Sequence, residues 1–292
     1  MSEDKVSVFQ TARPRLFRLA YRLLGEATEA EDVLQDAFLR WAASDGVHVA
    51  EAWLTTVVTN LCLNRLTSAR ARRETYVGPW LPEPVFATAG EPDPAETAEQ
   101  RDSLSFAALV LLERLNPPER AAFVLREAFE YSHREIGEIL GVDEPHARQL
   151  YARARAHVGE PRKRFDAPLA RRRTMVERFL AATVHGDLTG LERLLSDDVV
   201  AWSDGGGKAT AARRPIAGRS LVAGFLVRLG QHPLAAQARY EIRMVGPDPA
   251  VAIFLADSLV AVMVPEVVAE QVVAVRTILN PDKLAFAASQ AV

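Results

Sequence analysis

Apolar positions in the first third of the chain recur at helical spacing. Phe9, Leu16, Leu19, Ala20, Leu23 and Leu24 fall on one face, and residues 7–42 read as helices interrupted at Gly25. Thr28 with Glu31 three residues on has capping-box spacing, which predicts Thr28 as the N-cap of the second helix. Val33, Leu34, Ala37, Phe38 and Trp41 form its inward stripe, and Ser44-Asp45-Gly46 ends it. A third helix is predicted from about residue 50 to 68, with Trp53, Leu54, Val57, Val58, Leu61 and Leu66 inward. Residues 78–96 then carry Pro79, Pro82, Pro84, Pro92 and Pro94, a density that no helix survives.

Helical periodicity resumes near Thr97. Asn116-Pro117-Pro118-Glu119 predicts a helix start, with Asn as cap and Pro in the first turn. Ser132 caps a short helix that Gly141 ends, and Asp143 caps the next, which runs to about Val158. Residues 159–173 read as a basic connector. Beyond Thr174 the texture changes. Two helices, about 174–195 and 218–230, surround a Gly-rich loop, and β-rich runs follow at 239–245, 250–256, 258–264 and 267–279. Helices followed by strands argue for an α+β domain of about 115 residues.

Composition narrows the class. With 49% hydrophobic and 25% charged residues among 292, the chain is neither disordered, collagen-like nor fibrous. One cysteine, Cys62, excludes an intrachain disulfide and a CxxC redox pair. The longest apolar candidate, Val251 to Val264, is broken by Asp257, so no membrane partner is expected. The N-terminus lacks a basic stretch followed by an apolar one, and a cytoplasmic location is expected. Charge is uneven: residues 79–113 sum to −6, whereas 51–78 and 114–174 sum to +2 and +4. Basic blocks favour a polyanionic partner, because Lys and Arg displace counterions from phosphates; solvated helix faces would look the same.

Three constellations could carry chemistry. Residues 119–157 have the form of a helix–turn–helix. Leu150, Ala154 and Val158 face inward on its second helix, and His146, Arg148, Gln149, Arg153, Arg155 and His157 offer polar reach elsewhere. Such a helix can enter a major groove, although an ordinary αα-hairpin shares the pattern. On the 50–68 helix, Asn60 and Asn64 lie four apart on one face with Thr56 and Thr59 near it. Asn can read the edge of an unstacked base, and Arg65, Arg70, Arg72 and Arg73 can neutralise phosphates; a solvated polar face is the alternative. Asp204-Gly205-Gly206-Gly207-Lys208 suggests a phosphate cradle but lacks P-loop spacing, which favours a tight loop and docking surface. The rival class is a small-molecule-binding or isomerase-like enzyme whose helical half is a scaffold. His185, Asp187, Asp198 and Asp204 could serve as acid or base there if they shared a pocket. No HExxH or other metal-ligand spacing occurs, and no GxSxG nucleophile elbow.

The order of several strings resembles one family. Residues 29–41, Glu-Ala-Glu-Asp-Val-Leu-Gln-Asp-Ala-Phe-Leu-Arg-Trp, are similar to region 2.2 of bacterial sigma factors. Trp53-Leu54, Asn60-Leu61 and Asn64-Arg65-Leu66 resemble the promoter-melting segment of the extracytoplasmic-function (ECF) group, and residues 116–158 resemble sigma region 4. The 72–84 string with Tyr76-Val77-Gly78-Pro79-Trp80-Leu81-Pro82-Glu83-Pro84, the Asp204–Lys208 loop and Asn280-Pro281-Asp282-Lys283-Leu284 resemble the subgroup with a fused SnoaL-like C-terminal domain. The resemblance implies a multidomain fold. A region 2 helical domain (1–78), an acidic Pro-rich linker (79–102), a region 4 helix–turn–helix domain (103–160), a basic connector (161–173) and an α+β SnoaL-like cone (174–292) follow in order. It implies that Asp32, Gln35, Asp36 and Arg40 meet the β′ clamp helices of core RNA polymerase, with the β flap a further contact. Asn60 would hold a flipped base of the −10 element with Asn64 beside it, and the helix from Asp143 would read the −35 element. Asp204–Lys208 and Asn280–Leu284 would contact the linker near Tyr76–Pro84 and regulate the protein. No catalysis, cofactor or metal is implied, while a small ligand in the C-terminal domain remains open.

Overall fold

Helices α1 (Glu3–Leu24), α2 (Ala27–Ala43) and α3 (Ala50–Glu74) follow the apolar stripes. Leu16, Leu19, Ala20 and Leu23 of α1, Val33, Leu34 and Ala37 of α2, and Leu54, Val58 and Leu61 of α3 are all buried. Aromatic pairs pack one end of the bundle, Phe9 with Phe38 at 5.0 Å and Trp41 with Trp53 at 5.6 Å between ring centroids. The expected Thr28 cap is corrected. Gly25 at φ +72° turns the chain, extended Glu26 is the N-cap without a side-chain capping hydrogen bond, and Thr28 lies inside the first turn. The third helix also outlasts its expected end at 68.

The computed structural model describes residues 3–87, 104–159 and 168–291. The resumption of helix near Thr97, and the linker beyond 87, lie outside the described residues; the first described helix there is α4 (Phe106–Leu112). Helices α5 (Pro117–Phe129), α6 (His133–Leu140) and α7 (Glu144–Val158) follow. The chain divides into two compact units. One joins Met1–Thr75 to Ala108–Glu160, the other Tyr76–Ala107 to Pro161–Val292.

Within the first unit the two helical modules pack on each other through arginines. Arg15 donates to the Tyr131 hydroxyl (2.7 Å) and lies over the Phe129 and Tyr131 rings. Arg22 lies over Phe129 and donates to the Ala128 carbonyl. Arg120, almost fully buried, pairs with Glu113 and reaches the Arg22 carbonyl. Burial lowers the guanidinium of Arg120 to about 9, so it stays charged at neutral pH.

The second unit holds α8 (Leu169–Val184), α9 (Leu188–Leu194), β1 (Leu195–Asp204), β2 (Ile216–Ala217), α10 (Arg219–Gly230), β3 (Arg239–Val245), β4 (Asp248–Leu255), β5 (Ser258–Val268), β6 (Gln271–Ile278) and α11 (Pro281–Ser289). The sheet runs β2-β1-β6-β5-β4-β3, antiparallel except for the parallel β1–β6 pair. Val176, Phe179, Leu191, Val222, Leu226, Val251, Val272 and Val275 form its core. The expectation of an α+β domain holds, with three corrections. Helix α8 begins inside the supposed connector, at Leu169. The expected 174–195 helix breaks at Gly186 (φ +66°), after which Asp187 caps α9. Residues 195–204 form a strand, because β6 offers them a parallel partner that local pattern cannot reveal. Among the described residues no helix is long and apolar enough to cross a membrane.

Candidate nucleic-acid interface and linker clamp

Helix α2 presents Asp32, Gln35 and Arg40 to solvent, with Asp36 half-exposed. Arg65, expected as a phosphate contact, is engaged within the fold in this structure. It donates to Glu29 Oε2 (2.6 Å) and Asp36 Oδ2 (2.9 Å) and lies 3.6 Å from Asp32, so that it ties α3 to the acidic face of α2. Asn60 and Asn64 stand exposed one turn apart. Thr59, expected beside them, is buried, and Thr56 bonds back to the Ala52 carbonyl. The side chains of Arg70, Arg72 and Arg73 lie outside the described residues. Cys62 is buried on the inner face of α3, where burial pushes its thiol up and keeps it neutral.

The helix–turn–helix is built by its caps. Asn116 accepts from Glu119 N, Ser132 and Glu135 form a reciprocal capping box, and Asp143 accepts from His146 N. Gly141 closes α6 at φ +68°. Gly137 permits the tight turn, since a Cβ there would stand 2.7 Å from the Val142 carbonyl oxygen. Ala147, Leu150 and Ala154 of α7 face inward, leaving His146, Arg148, Gln149, Arg153 and Arg155 exposed. Arg148 pairs with Glu144 one turn back. Arg153 and His157 flank the buried Glu119 at 3.5 and 3.4 Å.

In the second unit the two expected regulatory strings and the start of the linker converge. Asp204, at the end of β1, is 0% exposed and accepts from the Tyr76 hydroxyl (2.6 Å), the Leu81 amide (2.8 Å) and Lys283 Nζ (2.7 Å). Lys283, 7% exposed, also donates to the Leu81 carbonyl and lies beneath the rings of Tyr76 (4.7 Å) and Trp80 (4.1 Å). The buried ion pair is therefore surrounded by linker atoms. Asn280 caps α11 and donates to the Tyr76 hydroxyl (2.9 Å), with Leu284 packed inward behind it. Gly206 sits at φ +57°, and a Cβ there would lie 2.3 Å from Asn280 Nδ2. Gly205 is equally confined against the Ala209 carbonyl, while Gly207 faces Val77. Lys208 pairs at the surface with Asp282, next to Pro281.

Two further attachments carried weaker local signals. Ala87 N donates to the Met244 carbonyl on the edge of β3, and the Gln290 side chain both donates to and accepts from the backbone of Phe86. Farther on, Asp248 accepts from the Phe106 amide (2.8 Å) and from Arg172, beside the Arg276–Glu266 pair. Burial raises Asp248 to about 6, against the opposing pull of the Phe106 amide and Arg172. The four acid–base candidates are not brought together. His185 bonds the Ala181 carbonyl, Asp187 the Gly190 amide, Asp198 the Ser196 hydroxyl, and Asp204 belongs to the clamp. Among the described residues no group of three or more His, Cys, Asp or Glu could hold a metal.

Comparison with known proteins matches residues 8–72 to Sigma-70 region 2 and residues 105–158 to Sigma-70 region 4. The ECF RNA polymerase sigma factor SigJ of Mycobacterium tuberculosis (strain ATCC 25618 / H37Rv) is 43% identical over 78% of this chain and 73% of its own. The "Probable ECF RNA polymerase sigma factor SigI" of M. tuberculosis (strain CDC 1551 / Oshkosh) is 31% identical over 96% and 95%. The crystal structure of M. tuberculosis SigJ superposes with a TM-score of 0.77, at 35% identity over 96% of this chain and 98% of that one.

Proposed function

The chain belongs to the ECF RNA polymerase sigma factors, and from that premise we propose how its parts divide the work. It directs transcription initiation with core RNA polymerase at promoter DNA. The exposed α2 face with Asp32, Gln35, Asp36 and Arg40 docks on the β′ clamp helices, and region 4 meets the β flap. Asn60 and Asn64 receive an unstacked base of the −10 element, because an exposed amide pair one turn apart can bond a base edge without steric competition. Helix α7 enters the −35 major groove, where Arg148 and Gln149 meet base edges and Arg153 and Arg155 hold phosphates. Arg65 keeps the α2 face in shape rather than touching DNA.

The C-terminal domain regulates by holding the linker. The observation that carries this reading is the buried Asp204–Lys283 pair, whose hydrogen bonds run to Tyr76 and to both backbone groups of Leu81. A linker held there cannot freely choose its path between the promoter-binding modules. Run-off transcription tests it with core polymerase, a cognate promoter, and either the wild-type chain or Lys283→Met. The variant is expected to change output at equal polymerase occupancy, in the same direction as deletion of residues 173–292. Unchanged output from both would refute regulation by this domain.

A further inference from the structure

The C-terminal unit contains a cavity of about 280 Å3 between α8, the end of α10 and one face of the sheet, separate from the linker clamp. Its depth is apolar, reaching the buried Phe179, Val251 and Met263. Among the described residues no Asp, Glu, Lys or Arg lines it. Two of its three hydroxyl groups are already engaged as donors, Thr183 to the Phe179 carbonyl (2.9 Å) and Tyr240 to the Ala235 carbonyl (3.1 Å), and the third belongs to the buried Thr277. His232 Nδ1 accepts from the Leu234 amide. A charged occupant would lose its hydration and find no counter-charge. An apolar one would replace a void by contacts on every side. The opening is rimmed by Leu229 and Leu234, 41% and 49% exposed, apolar side chains otherwise left in water. The size stands near the lower end of the roughly 300–1,000 Å3 typical of small-molecule sites. A protein surface would reach the rim but not the buried floor.

The cavity also shares backbone with the clamp. Leu279 lines it, and the amides of Leu279 and Asn280 both donate to the Asp204 carbonyl (2.7 and 2.9 Å), while the Asn280 side chain reaches Tyr76. We propose that this cavity binds an uncharged, mainly apolar small molecule, and that its occupancy is felt at the linker through Leu279 and Asn280. The second half rests on the clamp reading above.

The test uses the full chain and N-phenyl-1-naphthylamine, a neutral two-ring-plus-phenyl fluorophore, against its sulfonated analogue 8-anilinonaphthalene-1-sulfonate. The neutral probe is expected to bind saturably at one site per chain, at least tenfold more tightly than the anion. Ala261→Phe, which fills the floor, and Ala235→Trp, which narrows the opening, should each weaken it tenfold or more. Circular dichroism selects the variant that remains folded. Absence of saturable binding, equal affinity for the anion, or unaltered binding by a folded variant would overturn the site. With the probe saturating, hydrogen exchange in peptide 76–87 should change at least threefold; an unchanged rate would overturn the coupling. Neither readout involves polymerase, so failure here is distinguishable from failure of the transcription reading.

Discussion

Replacing Lys283 by Met removes the cation from a site where its carboxylate partner is shielded from solvent. Asp204 is fully buried, and its remaining partners would be the Tyr76 hydroxyl and the Leu81 amide. Removing one member of a buried pair costs about 3–5 kcal/mol, chiefly because the other charge is left uncompensated. Several of the donors around Asp204 belong to the linker, so undocking residues 76–81 and admitting water relieves the penalty. The clamp equilibrium should therefore move toward release by roughly a hundred- to a few-thousandfold, at about 1.4 kcal/mol per tenfold. Hydrogen exchange read by mass spectrometry measures this directly, because the Leu81 amide donates to Asp204 and exchanges only when the clamp opens. Peptide 76–87 should lose protection in the variant while β4 and β5 keep theirs. The double variant Asp204→Asn/Lys283→Met should be less perturbed than the sum of the singles, because no charge is left unpaired. If Lys283→Met left that peptide protected as in the wild type, the buried pair would not be what holds the linker.

Other perturbations test other parts. Arg120→Met strips Glu113 of its buried partner and should destabilise the helical unit by about 3–5 kcal/mol, read as a shifted denaturant midpoint. Asp248 titrates near 6 in the fold against an ordinary 3.8, so its charged form costs the fold about 3 kcal/mol above pH 6. The folded state takes up that proton first, so this cost is relieved as pH falls from about 6 to about 4. Asp248→Asn should remove this part of the pH dependence in chemical denaturation from pH 7 to pH 4. Asn60→Ala should impair open-complex formation, followed by permanganate reactivity of the −10 region, more than initial promoter binding. Arg148→Ala should cost roughly 1–3 kcal/mol at the −35 element in a gel-shift with holoenzyme and relax base preference at one position.

The helical half was legible because its instructions are local. Apolar spacing placed α1 to α3, and the Asn116, Ser132 and Asp143 caps announced the helix–turn–helix before any tertiary contact was known. The exposed Asn60 and Asn64 and the polar face of α7 follow from the same periodicity. The Asn280-Pro281 start of α11 repeats the Asn116-Pro117 signal and was readable in the same way.

Long-range chemistry settled the remainder. Strand β1 exists because β6 lies beside it, and a parallel pairing across some 70 residues leaves no mark on the local pattern. Nothing in the local pattern around Arg65 says that Glu29 and Asp36 of another helix bond it. Nothing in the spacing of Asp204, Lys283 and Tyr76 says that one carboxylate, one ammonium and one phenol meet in a buried site. Sequence order records which groups a chain owns; burial and through-space partners decide which of them face solvent and which hold the fold together.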